Sequence, residues 1–229
     1  MDDTQPRNTG RLAVAVGVVA AGSAVCLSTY FVVRGPFGTL NDIGNATTGV
    51  LSAVLAWRLG RHVGGRAGDV ALGAALAGAA ITVAGSALVV SGSTGFFYAG
   101  LVSSVGFAGI GVWLIVLNHG SAAAATWSRR LRALGVIAGG LMLLGVASAP
   151  GVLLGHDDME TAPGWIWIGQ LGWLGTFVVY PVWAISMGVV ETRRAHRILL
   201  SSEPSGSNEA GLGLSAATSI APGVPEMEP

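Results

Sequence analysis

The chain has 229 residues, 52% hydrophobic and only 10% charged, with a mean hydropathy of +0.64. A water-facing domain carries about 25% charged residues, so a soluble surface is excluded. The net charge of zero leaves no field to draw nucleic acid, and one cysteine, Cys26, excludes an internal disulfide or a multi-cysteine metal site.

Residues 1–11 form a polar, basic start that ends on Arg11. An apolar run follows from Leu12 to Val33, roughly 33 Å as a helix and long enough for a bilayer core. A secretory signal has an apolar region of only about 7–15 residues, so 12–33 is expected to be an uncleaved first span. Tyr30 and Phe31 then fall at the outer interface, where aromatic rings are favoured. The stretch from Arg34 to Gly38 reads as a Gly/Pro turn. Thr39 and Asp42 have capping-box spacing, which predicts a second helix over 40–58. Trp57 marks its inner end, and Arg58, Arg61, His62 and Arg66 form a basic loop.

The third helix is expected over 70–90, with Ala74, Gly78, Thr82 and Ser86 in a small-residue stripe. A turn at 91–95 leads to the fourth, 96–118, with Gly100, Ser104 and Ala108. Small stripes let helices approach closely, so these two are expected to form a tight antiparallel hairpin. The connection 119–132 reads as interfacial, with Trp127, Arg129, Arg130 and Arg132 at the headgroups. A fifth helix is expected over 131–155, and its Gly135/Gly139 spacing reads as internal packing rather than dimerisation. An acidic loop, 155–164, precedes a sixth helix over 165–190 that starts at Trp165 and Trp167. Pro181 inside it predicts a kink and a freed carbonyl at Phe177. Residues 191–229 read as a cytoplasmic tail, largely disordered because Ser, Gly, Pro and Glu bury little.

The fold class is therefore an all-α integral membrane protein, a six-helix transmembrane domain over 12–190. Arginine sets its orientation. Arg7 and Arg11, Arg58, Arg61 and Arg66, Arg129, Arg130 and Arg132, and Arg193, Arg194 and Arg197 fall on one side, with only Arg34 opposite. Both termini are expected in the cytoplasm. All twelve basic residues are arginine beside 36 glycines, a bias expected of a GC-rich bacterial genome, so the expected location is a bacterial inner membrane.

Few residues offer chemistry. Asp42 reads either as a capped first-turn acid, paired with Arg34, or as an ion-binding carboxylate at the mouth of a path. Asn41, Asn45 and Thr48 share one helix face, and Gln170 lies at a similar depth on the sixth helix. An Asn45–Gln170 contact, or a vestibule lined by both, is expected because an amide in hydrocarbon needs a partner. His156, Asp157, Asp158 and Glu160 are metal-capable. They are contiguous on one loop, however, and read as an exposed acidic loop with no metal. His62, His119 and His196 sit at cytoplasmic helix ends. No Walker loop, serine-hydrolase elbow or zinc-protease motif occurs, so neither an enzyme nor a cofactor is expected. The first functional reading is a non-catalytic membrane protein, structural, accessory or sensory. The second is a small-solute or ion permease using Asp42, Asn41, Asn45, Thr48 and Gln170, with Pro181 as its bending point. A third makes the tail a contact for a membrane or cytoplasmic protein partner.

Overall fold

The computed structural model describes residues 4–60 and 63–202, which are helical with no strand. Arg61, His62 and the segment beyond residue 202 lie outside the described residues; of the tail expected over 191–229 the first part, 191–202, is helical and continues α10. Four long helices come first: α1 (Thr4–Val33), α2 (Phe37–Gly60), α3 (Gly65–Val90) and α4 (Phe96–His119). A short α5 (Ser121–Thr126) leads to α6 (Arg129–Leu143), which continues through a 3-10 turn (Leu144–Ser148) into α7 (Ala149–Leu153). The last long stretch is broken into α8 (Ile166–Gln170), α9 (Gly172–Leu174), a π turn (Gly175–Val179) and α10 (Tyr180–Ser202).

Among the described residues, five helical stretches are long and apolar enough to cross a membrane: Arg7–Val33, Gly65–Val90, Phe96–His119, Arg129–Leu153 and Ile166–Arg197. The surface agrees, since Val18, Val32, Ile43, Val50, Ile81 and Leu153 are all exposed, Leu153 to 86%. Water would drive such a surface to aggregate, whereas lipid hydrocarbon matches it. These are the features of a membrane protein. α2, expected as the second of six spans, is not among the five. Asn41, Asp42, Asn45, Thr47, Thr48 and Ser52 make it much less apolar than its neighbours.

The helices close a ring. α1 packs between α2 and α10, α2 on α3, α3 on α4 and α4 on α6, which returns to the π turn and α10. Of the five apolar stretches, α4 is the most buried. Backbone contact between α3 and α4 depends on glycine, because a Cβ on Gly106 would lie 2.6 Å from the Gly78 carbonyl oxygen. The hairpin forms as expected, but α4 meets α3 through Ser103, Gly106 and Gly109. Its Gly100/Ser104 face turns instead to Trp173 and Gly145. α1 and α10 are equally close: a Cβ on Gly17 would lie 2.8 Å from the Pro181 carbonyl, and one on Gly10 2.9 Å from that of Gly188. The start of α1 therefore lies beside the end of α10, at one end of the bundle.

Several local expectations are corrected. The capping box does not form, because the Leu40 amide donates to the Pro36 carbonyl at 3.0 Å and the helix is under way at Phe37. Proline, with its pre-set φ and no amide to satisfy, starts the helix before Thr39 can. Asp42 is thereby carried into the second turn, and no acid stands in the first. Near Pro181 the irregularity falls one turn earlier, where the Tyr180 amide reaches five residues back to the Gly175 carbonyl. This wider π turn accommodates the change of path ahead of the ring. Trp127 is buried within the bundle, and its indole donates to Glu191 Oε1 at 2.8 Å.

Candidate functional site

α2 is amphipathic in the sense opposite to a soluble helix. Asn41, Asp42, Asn45, Thr48 and Ser52 are buried, while Leu40, Ile43, Val50, Val54 and Trp57 are exposed. In lipid the polar face must turn inward, where other helices can satisfy it. α1 supplies the first partner. The Ser23 hydroxyl lies 2.9 Å from both the carbonyl and Oδ1 of Asn41 and 3.0 Å from Oδ1 of Asn45. Gly44 permits this approach, since a Cβ there would stand 2.8 Å from that of Ser23.

Beside this knot lies a small, partly open cavity between α1, α2, α4 and the broken last span, with room for about one or two water molecules. Its polar wall is Asn41, Asp42 and Asn45 from α2 with Ser103 and Ser104 from α4. Its apolar wall is Leu27, Phe96, Phe107, Trp173 and Phe177. Trp173 is held in place by its indole, which donates to Ser104 Oγ at 2.9 Å; that hydroxyl donates in turn to the Gly100 carbonyl at 2.8 Å. Phe177 belongs to the π turn and stands edge-on to Trp173, with ring centroids 6.2 Å apart. The π turn therefore sets the angle at which these rings enter the cavity, and such bulges recur at functional sites.

Asp42 is only 6% exposed, and among the described residues its carboxylate has neither a hydrogen-bond donor nor an ion-pair partner. Arg34, its expected partner, does not reach it. Arg34 adopts a left-handed conformation, φ 64°, and its guanidinium lies 6.0 Å from the Tyr30 ring centre. Tyr30 also packs at 5.1 Å from Phe96, and Phe31 at 6.5 Å, so an aromatic cluster stands at the rim of the cavity.

Gln170 joins neither Asn45 nor the cavity: both of its amide atoms are buried without partners. Helix α8 ends at Gln170, just before the break that leads into α9 and Trp173. Thr48 is buried below Asn45 with no partner for its hydroxyl. One turn further, the hydroxyls of Ser52 and Tyr180 share a hydrogen bond of 2.8 Å. There the polar column stops. Tyr180 stacks on Trp183 at 5.9 Å, and Trp113 and Trp127 meet Trp183 edge-on at 6.3 Å each. Leu55, Leu59, Leu114, Leu117 and Met187 pack around these rings, among which the Trp113 and Trp183 indole nitrogens and Asn118 Oδ1 are buried without partners.

The acidic loop has a role of a different kind. The Gly95 amide donates to Asp157 Oδ2 at 2.6 Å and the Tyr98 amide to Oδ1 at 3.0 Å. One carboxylate thus serves the N-cap and third-residue amides of α4, the two groups that a capping box satisfies with two side chains. Asp158 accepts from the Glu160 amide at 3.0 Å. Among the described residues, no group of three His, Cys, Asp or Glu side chains is placed to hold a metal.

Sequence reasoning missed Ser23, Phe107, Trp173 and Phe177. A tryptophan well past the interfacial pair Trp165 and Trp167 was the one available signal, since interfacial rings favour the headgroups. Comparison with protein-family models, curated proteins and solved structures finds no match to this chain.

Proposed function

We propose that this chain is a six-span, non-catalytic protein of a bacterial inner membrane, with both termini cytoplasmic, that binds a small solute from the outer side as a carrier. The observation that carries the reading is Asp42, a buried carboxylate without a partner on the wall of a cavity. An ionisable side chain inside a membrane is costly and marks a functional site by default. The inward polar face and outward apolar face of α2 support counting it as a span despite its composition. The arginine asymmetry supports an outer-half location for the cavity. Two interrupted helices, the 3-10 turn at 144–148 and the broken stretch at 166–179, pack together near the cavity. Transporters build their sites at such breaks, and the packed cluster of Tyr180, Trp183, Trp113 and Trp127 beyond Ser52 supports a barrier on the far side of the cavity.

The competing reading, polar residues used only for packing, draws on Ser23, which already ties Asn41 to Asn45. Side-specific labelling separates the two. In a Cys26→Ser background, a cysteine at position 45 or 103 should react with an impermeant thiol reagent added outside cells. A cysteine at position 55 should not. No reaction at either outer position refutes the solute site.

A further inference from the structure

Resting on that reading, we infer that Asp42 is a proton-binding site, whose carboxylate takes up a proton from the solution at the cavity mouth and returns it by the same route. Size sets the first limit. The cavity has room for about one or two water molecules. In this conformation no organic ion reaches Asp42, whereas a proton passed along water needs no more space than the water itself. A lone carboxyl inside a membrane protein is a common member of a proton relay.

The hydrogen-bond inventory points the same way. The Asn41 carbonyl, Asn41 Oδ1 and Asn45 Oδ1 all converge on the Ser23 hydroxyl, which has one proton for three acceptors. Across the cavity the Trp173 indole donates to Ser104, and the Ser104 hydroxyl donates to the Gly100 carbonyl. The wall is rich in acceptors and short of donors. An ionised Asp42 adds only acceptors, while the protonated acid adds a donor. Uptake turns the carboxylate and a hydronium in the cavity into a neutral acid and water, one O–H bond forming as another breaks. A metal cation needs several oxygens around itself; here three of them surround a hydroxyl, which makes sodium a competitor to be tested.

No second titratable group lines the cavity. Cys26 and Tyr30 on α1 and Tyr98 on α4 lie outside the lining. Arg34 is engaged on the Tyr30 ring, and Asp157 accepts from the Gly95 and Tyr98 amides. The charged residues of α3, Arg66 and Asp69, stand at its start, beside the end of α2 away from Asp42. The stretch 165–179 has none, and Tyr180 beyond it is bonded to Ser52.

The test is infrared spectroscopy of the full-length protein in lipid nanodiscs, titrated over the pH range in which circular dichroism shows it folded, with Asp42→Asn subtracted. A protonated-carboxyl band is expected in the difference, growing as the pH falls and shifting in D2O. Asp42→Glu should restore a titrating band and controls for folding. The midpoint should be the same in sodium chloride and in choline chloride at equal ionic strength. Absence of an Asp42-dependent band, a band of constant height at every pH, or a band indifferent to D2O overturns the inference. A midpoint that moves to lower pH in sodium chloride overturns it in favour of a metal-cation site. If position 45 is still labelled from outside in any of these cases, the solute-site reading survives. If no Asp42 band titrates and position 45 is unreactive, both fall.

Discussion

Replacing Asp42 by asparagine should stabilise the fold. The substitution keeps the side-chain shape and removes a charge that is 6% exposed and unpartnered among the described residues. An aspartate at the centre of a membrane helix costs about 2.5–3.5 kcal/mol. Asp42 stands in the second turn of α2 on an open cavity, and solvent there reduces the cost to about 1–2 kcal/mol. Losing the favourable helix dipole offsets about 0.3–1 kcal/mol, which leaves a net gain on the order of 1 kcal/mol. For a chain of this size that raises the unfolding midpoint by about 2–4 °C. Thermal unfolding followed by circular dichroism in one detergent measures it, with Ser52→Ala as reference. That variant breaks the Ser52–Tyr180 bond and should cost about 0.6–1.7 kcal/mol. If Asp42→Asn lowers the midpoint as far as Ser52→Ala does, the carboxylate is a packing group and the argument for a site fails.

Further substitutions probe the scaffold. Gly106→Val should block insertion of the α3–α4 hairpin or lower its stability by several kcal/mol, because even a Cβ meets the Gly78 carbonyl. Gly73→Ala, with nothing within 4 Å, should be neutral in the same unfolding assay. Asp157→Ala removes both outer bonds to α4 and should cost about 1–2 kcal/mol; Asp158→Ala should cost far less, as compared by SDS titration. Trp127→Phe keeps a ring against Trp183 but strips Glu191 of its indole donor, with an expected loss of about 1–3 kcal/mol. Trp127→Phe with Glu191→Gln should recover part of that loss, measured as a double-mutant cycle.

Sequence alone pointed to the membrane class and to the long helices α1 to α4, but not to the breaks in the last two stretches. Long apolar runs separated by Gly/Pro turns can only be membrane-length helices, and this information is local, carried by each segment for itself. The hairpin at 91–95 and the inward small residues of α3 were legible for the same reason. Tertiary structure decided which face of each helix looks inward. In a chain where both core and surroundings are apolar, hydrophobicity hardly separates buried from lipid-facing positions, so Ser23 and Phe107 had no local mark and Trp173 only its place beyond the interfacial pair. It also decided partners distant in sequence: Asp157 on the α4 amides, Trp127 on Glu191, and Ser23 in place of Gln170 beside Asn45. Such pairings are fixed by helix approach distances and by a π turn of a few residues. They arise from how the whole bundle packs, and no single segment encodes them.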